Sequence, residues 1–192
     1  KLEREGRIFG NVNTNGAITG RCTHSSPNLA QVPAIYSSFG KECRELFKAS
    51  KDKVLVGCDA DGLELRALAG YLTKYDGGKY ARAAVDGSKE TNTDIHSLNR
   101  DIIKTSSRDT AKTFFYAFIY GAGNEKLGTI LGGGAGRGKE ARQRLLTGVD
   151  GLMDLTTRVK QVFRRRGHLI GLDGRRLHVR SEHSALNTLL QS

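Results

Sequence analysis

Only three cysteines, two prolines, one methionine and no tryptophan occur in the 192 residues. The cysteines, Cys22, Cys43 and Cys58, are odd in number and lack metal-site spacing, which excludes a disulfide scaffold and suits reduced thiols in a cytosolic compartment. Long apolar runs are missing too. The longest, Phe114 to Ala122, is about half of the roughly 20 residues that a bilayer-spanning helix needs, so no transmembrane segment is expected. The amino end, Lys1-Leu2-Glu3-Arg4-Glu5, has neither an initiating Met nor an apolar h-region, so the sequence reads as an internal piece of a longer chain without a secretory signal. Acidic residues are scarce relative to basic ones, 20 against 31, giving a net charge of +11 and a pI near 9.8. That balance favours a polyanionic partner, nucleic acid first and an anionic membrane surface second.

What is present suffices for a core. Counting glycine in and tyrosine out, about 47% of the chain is apolar, inside the globular range. The length fits one large domain or two small ones.

Residues 1–50 are rich in Gly, Asn, Ser and Thr and hold both prolines, Pro27 and Pro33, as expected of ordered loop with short strands. Lys53 to Cys58 is short, apolar and β-branched, the pattern of a buried strand, and Asp59-Ala60-Asp61-Gly62 turns it into a helix starting at Leu63. Two more helices are expected, one from Asp94 to about Lys104 and one from Ser107 to Tyr120, the second opened by a cap at Ser106 and closed by Gly121. A glycine-rich loop from Gly132 to Gly138 should lead into a basic helix, and Gly167 to Val179 should form a hairpin around Asp173-Gly174. Most of the excess positive charge falls between Leu131 and Arg180.

Arg108, Lys112, Tyr116 and Tyr120 recur every fourth residue on one expected helix. Four steps advance about 400°, so they form one slowly drifting stripe, cationic at its amino half and phenolic at its carboxyl half. Cations beside a helix's positive end suit a triphosphate, and flat rings suit a base or sugar. The alternative is an amphipathic helix whose rings pack in a core while its cations are merely solvated. Asp59 and Asp61, at a strand end, could ligate Mg²⁺, or could be ordinary turn residues. His96, near a helix start, could meet a phosphate or simply be a core or surface histidine. Gly133-x₄-Gly138-Lys139 looks like a phosphate-binding loop, but Glu140 stands where a Mg²⁺-binding Ser or Thr is needed, so a flexible basic loop is expected instead. Arg164, Arg165, Arg166, Arg175, Arg176 and Arg180 suit contact with a duplex backbone, or a solvated face.

Together these pieces resemble family A DNA polymerases, the DNA polymerase I family, and look closest to the replicative polymerases of short-tailed bacteriophages. The resemblance rests on Thr19-Gly20-Arg21 with Pro27 to Pro33, on Asp59-Ala60-Asp61-Gly62-Leu63-Glu64-Leu65-Arg66, and on Asp94-Ile95-His96. It continues through Arg108-x₃-Lys112-x₃-Tyr116-x₃-Tyr120-Gly121 and Leu172-Asp173-Gly174-Arg175-Arg176 to Asn187-x₃-Gln191, and so covers essentially the whole chain. It implies an α/β palm-and-fingers fold, a mixed-sheet palm with a mainly helical fingers insertion: residues 1–72 palm, 73–170 fingers and 171–192 a return to the palm.

The resemblance implies a DNA-directed DNA polymerase that joins dNTPs to a primer 3′-hydroxyl in phage DNA replication. Asp59 and the Ala60 carbonyl would ligate the metal, with two Mg²⁺ expected in the full-length enzyme. Arg108, Lys112 and His96 would hold the triphosphate, Lys112 also protonating the pyrophosphate. Glu64 would exclude a ribose 2′-hydroxyl and bond to Tyr120, while Tyr116 would lie near the sugar 3′ edge. Arg21, Asn187 and Gln191 would touch the primer-template minor groove. Partners would be primer-template DNA and dNTPs, with no membrane; a processivity factor is not legible in the chain. The location implied is the cytoplasm of an infected bacterial host. The family's His-Asp-Glu motif, with its second catalytic aspartate, does not occur before Ser192, so the isolated chain is expected to be inactive. A single-subunit RNA polymerase and a non-catalytic DNA-binding module are the alternatives.

Overall fold

The computed structural model describes residues 3–192, and side chains from Glu5 onward. Two compact units divide the chain, the first ending at Asp61 and the second running from Gly62 to Ser192.

The first unit consists mainly of turns, as its Gly, Asn and Ser content dictates. Strands β1 (Glu3–Arg4) and β2 (Arg7–Ile8) form one antiparallel ladder, and β3 (Asn11–Asn13) and β4 (Thr23–Ser25) another, with Val12 opposite His24. Helix α1 spans Gly40–Glu45. Among this unit's described residues, only Gly40 is buried.

The expected strand at Lys53 to Cys58 does not form. The segment has no regular structure, and Val54, Leu55 and Val56 are 81%, 70% and 89% exposed. An apolar β-branched run becomes a strand only when a neighbour takes up its N–H and C=O groups. No strand among the described residues pairs with it.

The second unit is helical and contains the core. Helix α2 (Leu63–Asp76) is built from Leu, Ala, Glu and Arg, and it buries Leu65, Leu68, Ala69 and Leu72 at three- and four-residue spacing. It starts at Gly62 and stops at Gly77, both in the left-handed region (φ +59° and +62°), and it continues unbroken through residue 72. Helix α3 (Lys79–Val85) follows. Helices α4 (Ile95–Ile103) and α5 (Arg108–Ile119) each begin with a side-chain cap. Asp94 accepts from the His96 N–H at 3.0 Å, and Ser107, rather than Ser106, accepts from Thr110 at 3.3 Å.

Helices α6 (Asn124–Ile130) and α7 (Ala135–Gly148) form a tight hairpin, which corrects the expectation of a flexible loop over 132–138. Helix begins at Ala135, and glycine is required for close approach: a Cβ at Gly138 would overlap the Asn124 carbonyl, and one at Gly128 the Gly134 carbonyl. Helix α8 (Leu152–Arg166) ends at Gly167, φ +70°. Strands β5 (His168–Ile170) and β6 (Arg176–His178) make the expected hairpin, with Leu169 paired to Leu177, and α9 spans Ala185–Leu190. Phe114, Phe115, Ile119, Leu68, Leu72, Leu127, Leu145, Leu152 and Leu177 are the largest apolar side chains fully buried in the core.

Candidate functional site

Helix α5 sorts its side chains by face. Ala111, Phe114, Phe115, Phe118 and Ile119 enter the core, whereas Arg108 and Tyr116 are half-buried and Lys112 and Tyr120 exposed. The four-residue stripe therefore lies at the surface with its graded chemistry intact, and the phenylalanines rather than the tyrosines fill the core. The Tyr116 and Tyr120 rings stack with centroids 6.3 Å apart and planes 29° from parallel.

The carboxyl half of the stripe meets the start of α2. Tyr120 Oη donates to Glu64 Oε1 at 3.1 Å, and Glu64 is only 8% exposed. A Cβ built on Gly62 would lie 3.8 Å from the Tyr116 hydroxyl, so both phenols border the first turn of α2. A carboxylate held beside two aromatic faces gives a wall that can reject a hydroxyl and a platform that can carry a ring.

At the amino half, α4 supplies the neighbours. His96 is buried, packed against Phe115 at 6.4 Å and Tyr116 at 6.0 Å. Arg108 is held by Asp94, its Nη2 donating to Oδ1 at 2.8 Å and its Nε lying 3.2 Å from each carboxylate oxygen. Burial drives the Asp94 carboxyl upward, but the Arg108 and Ser97 hydrogen bonds, the His96 N–H and the Arg108 charge outweigh it, holding it well below the usual carboxylate range. The Arg108 pKa is raised, chiefly by the Asp94 bond. Lys112 has no carboxylate partner among the described residues.

Asp94 is the important residue that motif spacing left without a role. Its signal was available: an aspartate immediately before a helical run is a cap. Arg142 and His183 were missed as well. Arg142 lies over the Phe118 ring at 5.5 Å, donates to Asn124 Oδ1 at 3.0 Å and to the Ala122 carbonyl, and burial lowers its pKa. His183 Nε2 lies 2.5 Å from the Gly121 carbonyl. Both fasten the chain just beyond α5.

Asn187 and Gln191 lie one turn apart at the end of α9, and the buried Asn187 Oδ1 has no hydrogen-bond partner. Of the six arginines suited to a duplex backbone, two are engaged within the protein: Arg164 forks onto Glu182 at 2.6 and 2.7 Å, and Arg175 meets Asp173 at 2.6 Å. Arg165, Arg166, Arg176 and Arg180 are exposed. In the first unit, Arg21, Asp59 and Ala60 are all exposed. The Asp59 carboxylate and Ala60 carbonyl are hard oxygen donors of the kind Mg²⁺ takes, so the donor chemistry fits that ion. Among the described residues, no three His, Cys, Asp or Glu side chains gather as a metal site. No helix among them is long and apolar enough to cross a membrane.

The family model for DNA polymerase family A matches residues 1–192. The chain is 43% identical to the DNA-directed DNA polymerase of Escherichia phage T7 over 213 aligned residues, covering 100% of this chain and 29% of the relative. The figures are the same for the Enterobacteria phage T3 enzyme. DNA polymerase I of Treponema pallidum is 26% identical over 99% of this chain and 20% of its own length. Among solved structures, the POL domain of Pol1 from M. smegmatis, in complex with DNA primer-template and dNTP, superposes with a TM-score of 0.76 at 19% identity, over 98% of this chain and 35% of that one. The chain thus spans under a third of the phage relatives it matches.

Proposed function

This chain belongs to DNA polymerase family A, and from that premise we propose that it forms palm and fingers parts of a DNA-directed DNA polymerase that adds dNTPs to a primer 3′-hydroxyl in phage DNA replication. In this reading palm lies at 1–72 and 171–192, with fingers between. The observation that carries the proposal is the Tyr120 to Glu64 hydrogen bond at 3.1 Å, made at one end of a stripe whose other end bears Arg108 and Lys112.

Each residue then takes a role from its chemistry. Arg108 and Lys112 bind the triphosphate, Lys112 being the exposed ammonium able to pass a proton to departing pyrophosphate. His96, packed against Tyr116, sets that ring and lies near the positive end of α4. Tyr116 and Tyr120 carry the sugar and base, and Glu64 fills the space a 2′-hydroxyl would need. Asn187, Gln191 and Arg21 meet the minor groove, donating amide and guanidinium N–H groups to its N3 and O2 acceptors. Asp59 and the Ala60 carbonyl would hold Mg²⁺, which when bound neutralises phosphate charge and polarises the reacting phosphoryl group. Primer-template DNA and dNTPs are the partners, and the infected bacterium's cytoplasm the place of action.

Equilibrium binding of dNTP and rNTP to the chain on primer-template DNA tests the reading. Wild type should prefer dNTP, and Glu64→Ala should narrow the preference about tenfold or more, the equivalent of about 1.4 kcal/mol. Equal binding of both nucleotides by wild type, or an unchanged ratio in the variant, defeats the gate. DNA binding without any nucleotide binding would instead indicate a DNA-binding module.

A further inference from the structure

One buried carboxylate ties the amino ends of α4 and α5 together. Asp94 accepts from the His96 N–H at 3.0 Å and the Ser97 hydroxyl at 2.6 Å, and takes the Nε and Nη2 edge of Arg108. A guanidinium carries five N–H donors in a rigid planar fork, so occupying one edge fixes the direction of the other. The Nη1 end of Arg108 remains, with the exposed Asp109 carboxylate standing off at 3.9 Å. Asp94 is pinned by its own cap bonds and cannot follow the arginine outward. A side chain already immobilised on a pinned carboxylate pays less ordering entropy when an anion arrives.

We propose that Asp94 is a positioning residue for triphosphate binding: it grips Arg108 side-on and so presents the Nη1 end of the guanidinium to a phosphate. A negative charge this close to an anion site weakens the net attraction, so its presence is useful only through the direction it imposes. The proposal rests on Arg108 being part of the triphosphate edge, as argued above.

Calorimetric titration of the 192-residue chain with inorganic tripolyphosphate tests it, using wild type, Asp94→Asn, Arg108→Ala and the double variant. Asn keeps oxygen acceptance at the cap while removing the charge that holds Arg108. Asp94→Asn should weaken binding about tenfold, on the scale of a charge-assisted hydrogen bond. In the Arg108→Ala background the same change should have little further effect, because Asp94 acts through Arg108. Equal or tighter binding by Asp94→Asn overturns the proposal, as does an undiminished effect without Arg108. If Asp94→Asn melts differently from wild type, the Arg108→Ala background decides: a general loss of fold weakens binding there as well and overturns the proposal, whereas a positioning role leaves binding there nearly unchanged. Wild type failing to bind tripolyphosphate removes the underlying reading as well, whereas weakened binding by Arg108→Ala with no weakening by Asp94→Asn removes only the positioning role.

Discussion

The segment before Asp61 and the segment after it have similar access to apolar residues but use them differently. Phe9, Ile35, Tyr36, Phe39, Leu46, Val54, Leu55 and Val56 are all exposed, several by more than two thirds, while Phe114, Phe115 and seven leucine or isoleucine side chains of the second unit are fully buried. Burial of a side chain of that size contributes about 1.5–3 kcal/mol, so the second unit has its own driving force for folding and the first has little. The difference lies in periodicity. The second unit repeats apolar residues every three or four positions over helices of up to 15 residues, whereas the first places them between turn residues in ladders of two or three. Secondary structure alone does not make a core; two apolar faces must meet.

Truncation should separate the two units most sharply. Phe114→Ala, at a site with no exposure, should cost about 3–5 kcal/mol, and Leu55→Ala, at 70% exposure, less than about 0.5 kcal/mol. Denaturant unfolding followed by helical circular dichroism measures both. Comparable losses would mean that Leu55 is covered in solution and that the contrast between the units is wrong.

Acid titration gives a smaller effect confined to the second unit. The Asp94 carboxyl is depressed in the folded state, so the unfolded chain binds its proton first as pH falls. The stability contributed by the Asp94 to Arg108 bond is therefore full above the ordinary carboxylate value of about 3.9 and declines below it. Thermal midpoints of wild type should fall more steeply than those of Asp94→Asn between about pH 5 and pH 2. Parallel slopes would show that the bond does not form in solution.

This bond also marks how far the sequence could be read. The stripe on α5 was legible because its four residues share one helix and the 3.6-residue period places them on one side. Glu64 and Tyr120, 56 positions apart, were paired only through the family resemblance, and their hydrogen bond is present. The grip of Asp94 on Arg108 was not legible, since it depends on how the ends of two helices meet. Val54 to Val56 misled because an apolar run does not announce whether a partner strand exists. Gly132 to Gly138 misled because glycine marks both loose loops and the closest packing, and here it serves the α6–α7 contact. The cap at Ser107 instead of Ser106 is the one-residue uncertainty natural to adjacent serines.

The smallest expected effect concerns charge rather than packing. Most of the excess positive charge belongs to the second unit, yet Arg164 is neutralised by a two-pronged bond to Glu182, which holds that carboxyl below its usual range. A guanidinium paired with a carboxylate releases no counterion from a DNA phosphate; a liberated one does. Glu182→Gln should therefore steepen the salt dependence of DNA binding, making the slope of log affinity against log salt more negative by about 0.9, while the thermal midpoint stays nearly constant because the pair is exposed. An unchanged slope would place Arg164 off the DNA path and leave that role to Arg165, Arg166, Arg176 and Arg180. A steeper slope would show that Glu182 restrains non-specific attraction on the very unit that carries the charge.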